Sequence, residues 1–249
     1  MGSYWGIVNR VINDADVLLL ILDARQPYDT ISKELVDKAR LNKKPLIYVI
    51  TKADLIDRSL ANPSQVRLEP AVFVSGKTGA GMSQLYKEIF GQTKAAGGGK
   101  GMVKVGVLGY PNVGKSSLIN AMKGRYVAKT SGLSGYTKTA QKIRAKNRIM
   151  VIDTPGVLPT DKKNFMKSAM IGSLDFTHVR EPLEVVMGLM KKYPGRLEAF
   201  YKVEHTGDFE ESIDRIALNK KIVLKGGAPD RLRMSRMILA DWHKGIIRL

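Results

Sequence analysis

The sequence predicts a doubly wound, mostly parallel α/β sheet followed by a small α-helical C-terminal domain. Three observations predict it. Short apolar, strand-like runs alternate with helical stretches as far as residue 153, a glycine-containing phosphate-loop pattern lies between one such run and a helix, and strand signals nearly vanish after about residue 182. The boundary falls near residue 175, giving domains 1–174 and 175–249.

Residues 17–23 (VLLLILD) and 45–50 (PLIYVI) read as buried parallel strands, joined by a polar helical stretch at about 30–42. A third short strand, 71–74 (AVFV), leads into a helix at about 82–90 whose Leu85 and Ile89 share a face. Residues 91–101 (GQTKAAGGGKG) are rich enough in glycine to read as a flexible linker. Beyond them come a strand at 103–108 (VKVGVL), a helix at 115–122 and a strand at 149–153 (IMVID). In the tail, Leu183, Val186, Leu189 and Met190 share one helical face, and Leu232, Ile238, Leu239 and Trp242 a later one. Asp208 and Asp230 are in position to cap helix N-termini, and Gly245 to close the last helix.

Composition narrows the function. The 249 residues include no cysteine, which excludes disulfides, thiolate zinc sites and cysteine nucleophiles. The longest apolar run, 17–22, is far short of the ~18 residues that a membrane span needs. With no signal-peptide pattern at the N-terminus, a cytoplasmic location is expected. The net charge is +18 and unevenly spread: residues 1–174 carry 27 basic and 12 acidic side chains, residues 175–249 carry 14 and 11. Residues 94–167 alone hold 15 basic and 2 acidic, a basic face that points to a polyanion, with a merely solvated surface as the alternative.

The chemistry is carried by Gly109-Tyr-Pro111-Asn112-Val113-Gly114-Lys115-Ser116, which fits the GxxxxGK[ST] pattern between a strand and a helix. Its backbone N–H groups and the helix N-terminus cradle phosphates, Lys115 reaches the β- and γ-phosphates, and the Ser116 hydroxyl ligates Mg2+, with Ser117 beside it. Asp153-Thr-Pro-Gly156 closes the next strand, where an aspartate binds Mg2+ through water and a glycine N–H touches the γ-phosphate. Between them, Thr137 offers a hydroxyl to Mg2+ and γ-phosphate, with Thr139 as its rival. No base-reading motif follows residue 160, and the candidates lie upstream. Thr51-Lys52-Ala-Asp54 and Ser75-Gly76-Lys77 each close a strand, as NKxD and SAK motifs do in GTPases. Asp54 can accept two hydrogen bonds from guanine that adenine cannot offer, the Gly76 N–H can donate to the guanine carbonyl, and the stems of Lys52 and Lys77 can flank the base. Thr51 stands where asparagine is usual.

The order TKAD, SGK, GYPNVGKS, threonine loop, DTPG resembles the circularly permuted Ras-like P-loop GTPases, and the glycine linker joins the ends of the unpermuted fold. Leu22-Asp-Ala-Arg25-Gln-Pro and the tail from Gly226-Gly-Ala-Pro-Asp-Arg231 to Asp241-Trp-His-Lys-Gly245 further resemble the YlqF/RbgA type. That resemblance implies GTP and GDP as ligands, Mg2+ as cofactor, and ribosomal RNA of the assembling large subunit as partner, rather than DNA or a membrane, for a monomeric protein. It also implies K+ as an aid to hydrolysis, with Asn112 as a ligand, although Asn112 also reads as a turn residue. Where Ras-like proteins carry a water-orienting glutamine this chain has Val157, and its histidines, His178, His205 and His243, are far from the N-terminal position of the family's hydrolytic histidine. Slow intrinsic turnover is expected. From Lys123 to Arg148 there are eight basic residues and no acidic one, with Tyr126 and Tyr136 available to stack on bases. Two other readings remain: a regulatory GTPase whose helical domain binds a protein, and a phosphate-loop enzyme with a second substrate.

Overall fold

A computed structural model describes residues 4–57, 67–98, 101–124, 141–145, 148–154 and 165–248. Its contacts group into two compact units, residues 1–160 and 161–249.

The first unit is built on a six-stranded sheet. Its strands are β1 (Val17–Asp23), β2 (Leu46–Thr51), β3 (Ala71–Phe73), β4 (Val103–Leu108), β5 (Gln141–Arg144) and β6 (Ile149–Asp153), in the order β3-β2-β1-β4-β6-β5. Every pairing is parallel except β5 with β6. All seven residues of β1 are buried, as its unbroken apolar run requires of a central parallel strand. The chain winds outward from β1 through β2 to β3, returns to lay β4 on the other side of β1, and finishes at β6 and the edge strand β5. A chain entering the same sheet at β4 and leaving at β3 would carry the phosphate-loop strand first, so this connectivity is a circular permutation of that one.

One helix and one strand of this unit go beyond the sequence reading, and one anticipated helix is longer than expected. Helix α1 (Tyr4–Asp14) buries Val8, Val11 and Ile12. It closes on β4 at Gly106, where an added Cβ would lie 2.7 Å from Leu18 and 3.1 Å from both Val11 and Ala15. Helix α2 (Lys33–Leu41) is capped by Ser32 and connects β1 to β2. Helix α3 (Met82–Ala95) runs well into the stretch read as a flexible linker. The reason is a buried stripe at four-residue spacing, Leu85, Ile89 and Thr93, whose last member turns its hydroxyl back to the Ile89 carbonyl at 2.7 Å. The break comes only at Gly97 and Gly98. Helix α4 (Lys115–Lys123) follows the phosphate loop, and β5 is a further unanticipated element.

The second unit is helical: α5 (Phe165–Met170), α6 (Pro182–Lys192), α7 (Arg196–Tyr201), α8 (Phe209–Asn219) and α9 (Arg231–Lys244). Val186, Leu189, Met190, Ile213, Ile216, Ile238, Leu239 and Trp242 lie in its core. Asp208 accepts from the N–H groups of Glu210 and Glu211, Asp230 accepts from that of Arg233, and Gly245 closes α9 at φ 70°. Leu232 departs from expectation. It is 53% exposed: it stands in the first turn of α9, ahead of the buried stripe Met234, Ser235, Ile238, Leu239 and Trp242. The unit also begins earlier than residue 175: Ala169 of α5 is in the helical core, and the Trp242 indole donates to the Met170 carbonyl at 2.9 Å. Among the described residues no helix is long and apolar enough to cross a membrane.

Candidate functional site

The C-terminal ends of β1, β2, β3, β4 and β6 converge in the first unit, the edge at which open parallel sheets bind ligands. From β4 the chain enters the loop 109–114 and then α4. Gly109 and Gly114 adopt φ of 146° and 106°, where side chains are strained. Space forbids larger residues as well: a Cβ on Gly109 would lie 2.7 Å from the Ile21 carbonyl oxygen, and one on Gly114 2.9 Å from the Thr51 hydroxyl. Asn112 is left-handed at φ 60°, while Pro111 and Val113 are buried. The first turn of α4 presents the exposed Ser116 and the half-buried Ser117.

Lys115 is buried at the start of α4 and donates to the Gly109 and Tyr110 carbonyls at 2.9 and 2.6 Å. Loss of hydration pulls its pKa down to about 8, and the nearby Asp153 carboxylate opposes the shift. Asp153, at the end of β6, is 6% exposed. Burial raises its pKa, and the Lys115 charge works the other way. Its Oδ1 has no hydrogen-bond partner among the described residues. A cationic loop and an under-satisfied buried carboxylate thus face the same space.

The upstream segment meets this loop directly. Thr51 ends β2, and its buried hydroxyl bonds the carbonyl oxygens of Leu22, at 2.9 Å, and Val113. The short threonine therefore tethers the phosphate loop to β2 where asparagine was the usual residue. Lys52 turns left-handed at φ 58° and opens a short 3-10 turn containing Asp54. The Ser75 hydroxyl donates to Asp54 Oδ1 at 2.7 Å and accepts from the N–H groups of Lys77 and Thr78. Gly76 sits on α4 so closely that a Cβ would lie 2.9 Å from the Ser117 carbonyl carbon. Lys77 is exposed. The motifs that lie far apart in sequence are therefore one site, joined by Thr51 to Val113, Gly76 to Ser117, and Asp153 to Lys115.

One feature escaped prediction. Asp23, at the end of β1, is buried between two cations, Arg25 and Lys52. An aspartate closing an otherwise apolar strand, with arginine two residues on, was the available signal. Thr137, its rival Thr139, Gly156, Val157, Tyr126 and Tyr136 lie outside the described residues. Of the eight basic residues from 123 to 148, four are described: Lys123 is half-buried, and Lys142, Arg144 and Arg148 are exposed. Lys142 and Arg144 share one face of the edge strand β5.

Comparison with known proteins extends these observations. The GNP-bound YlqF of T. maritima superposes with a TM-score of 0.64 over 96% of this chain and 92% of its own, at 20% identity. Its GDP-bound structure gives 0.63. The chain has the circularly permuted GTPase fold of YlqF. Residues 104–220 match the family described as 50S ribosome-binding GTPase. An uncharacterized GTP-binding protein of Methanocaldococcus jannaschii is 34% identical over 244 residues, 96% of this chain and 64% of its own length. Nucleolar GTP-binding protein 2 of Saccharomyces cerevisiae is 32% identical over 252 residues, 98% of this chain and 52% of its own. This chain thus spans between about half and just under two thirds of the length of these curated relatives.

Proposed function

We propose that this chain binds GTP and GDP with Mg2+, hydrolyses GTP slowly on its own, and docks on ribosomal RNA of the assembling large subunit in a nucleotide-dependent way. The observation that carries this reading is the convergence of the Ser75-oriented Asp54 and the Lys115 loop on one sheet edge through Thr51 and Gly76. Asp54 accepts from guanine, Gly76 donates to its carbonyl, and Thr51, Lys52, Ser75 and Lys77 shape the pocket around it. The backbone from Pro111 through Gly114 and the start of α4, with Ser116 and Ser117, receives the phosphates. Lys115, released from its own loop carbonyls, pairs with the β- and γ-phosphates.

The residues present fit Mg2+. The exposed hydroxyl of Ser116 and the buried Asp153 oxygen that has no partner among the described residues supply few, hard oxygens of the kind this ion takes when phosphates and waters complete its shell. Thr137 is the third candidate holder. Bound there, the ion neutralises charge on the transferring phosphoryl group. Gly156 donates to the γ-phosphate. Val157 cannot orient water, so hydrolysis depends on outside help, for which we assign the ribosome and K+ held by Asn112.

The basic face supports RNA as the partner. Lys142, Arg144 and Arg148 are exposed on the side of the sheet that follows the phosphate loop. The matching family is described by its binding to the 50S ribosome, and the yeast relative is named as nucleolar. Sedimentation with ribosomal subunits at low and high salt, with a GTP analogue or GDP, tests the proposal. Co-sedimentation with large subunits that needs the GTP analogue and weakens with salt is expected. Nucleotide-independent behaviour would favour a protein partner for the helical unit.

A further inference from the structure

Two members of the buried ion cluster at the end of β1, Asp23 and Arg25, take no part in the roles assigned above. Asp23 is 1% exposed. Arg25 holds its carboxylate from two directions, Nε to Oδ1 at 3.1 Å and Nη2 to Oδ2 at 2.8 Å, and the Arg25 backbone N–H adds a third bond to Oδ1 at 3.0 Å. That alone neutralises the charge. Lys52 nevertheless brings a second cation, with Nζ 2.8 Å from Oδ2. A second cation in a confined site is electrostatically costly. Burial is the main cause holding the Lys52 pKa below its ordinary value, and repulsion from Arg25 adds to it.

Lys52 also feels the Asp54 charge, which offsets part of that cost, and the geometry gives its position a further consequence. Its backbone is left-handed, a conformation that a residue with a Cβ adopts at a cost, and it lies directly between the Thr51 tether and Asp54. Two further bonds tie the same strand ends together: the Ala24 N–H donates to the Thr51 carbonyl at 2.9 Å, and the Thr51 hydroxyl meets the Leu22 carbonyl. With its ammonium pinned on Asp23, the four-carbon stem of Lys52 is held in one direction rather than sampling its rotamers.

We infer that Asp23, seated by Arg25, is a positioning residue that fixes the Lys52 side chain beside Asp54 and so preorganises the base-reading pocket. The inference rests on the guanine-binding reading above. A preorganised stem spares the ordering entropy that nucleotide binding would otherwise incur.

The test is a double-mutant cycle on the full chain, reading affinity for fluorescently labelled GDP and unfolding by urea. Lys52→Met keeps the stem and leaves Asp23 neutralised by Arg25, so the fold is retained. Asp23→Asn removes the anchor, and Asp23→Glu, which displaces it by one methylene, serves if the asparagine variant does not fold. Each single variant is expected to weaken GDP binding roughly tenfold or more, and the double variant no further, because both act through one interaction. Wild-type affinity in Lys52→Met would overturn the inference, since the stem alone would then suffice. Losses that multiply in the double variant would overturn it too. Failure of the unaltered chain to bind GDP would instead remove the guanine-binding reading, and is seen before any variant is made.

Discussion

Lys115 makes the nucleotide-free protein less stable than it would otherwise be, and pH reveals by how much. Its folded pKa of about 8 lies below the ordinary 10.5. A folded chain therefore releases this proton from about pH 8 upward, while the unfolded chain keeps it until about pH 10.5. Over that window the unfolded state binds more protons, so stability rises with pH. The gain is about 2 kcal/mol by pH 9.5 and about 3 kcal/mol once both states have titrated. Lys115→Met lacks the titrating group and isolates the effect from every other ionisation. The assay is urea unfolding at a series of pH values, followed through Trp5 of the first unit in a Trp242→Phe background. Wild type should gain that stability relative to the methionine variant between pH 7 and 9.5. Nucleotide affinity should move oppositely, because phosphate binding needs the ammonium: GDP binding weakens above pH 8 by up to roughly tenfold per unit. Parallel stability profiles for the two proteins would refute the burial argument for Lys115.

Three further outcomes follow from the same geometry. Asp54→Asn should cost GDP about 1.5 to 3 kcal/mol of binding, the worth of a charge-assisted hydrogen bond, and should improve xanthine nucleotides, whose extra carbonyl suits the asparagine amide; competition titration decides it. Thr51→Val removes the hydroxyl shared by Leu22 and Val113 and should lower stability by about 1 to 3 kcal/mol in urea unfolding, with weaker nucleotide binding. Gly76→Ala forces a Cβ against the backbone of α4 and should lower GDP affinity and stability together, whereas Gly79→Ala, where space is open but φ is 77°, should cost stability alone.

Much of this was legible in the sequence because strong local signals coincide with buried parallel strands. The run 17–22 has no polar interruption, and the loop 109–116 carries glycine at two of its positions of positive φ, Gly109 and Gly114. The permuted order was legible because TKAD and SGK precede the phosphate loop while closing strands of the same sheet. What went unread depends on tertiary context. Strand β5 is an edge strand of four residues in a basic stretch, where pairing with β6, not an apolar pattern, makes it a strand. Gly91 suggested a break, yet it lies on the open side of α3 and the buried stripe carries the helix past it. Leu232 was placed inward by its seven-residue spacing from Leu239, but it stands in the first turn of α9 and is exposed there. The roles of Asp23 and Thr51 are distances between strands, 29 and 62 residues apart along the chain for the two bonds concerned, and no local window contains them.

The central claim is that two sequence-distant sets of motifs make one guanine-nucleotide pocket. Equilibrium titration of the purified chain with labelled GDP in Mg2+, competed by GTP, ATP and xanthine nucleotide, tests it most directly. GTP and GDP should compete at least roughly a hundredfold better than ATP, and Lys115→Met should abolish binding. Equal competition by ATP, or binding unaffected by Asp54→Asn, would contradict the account.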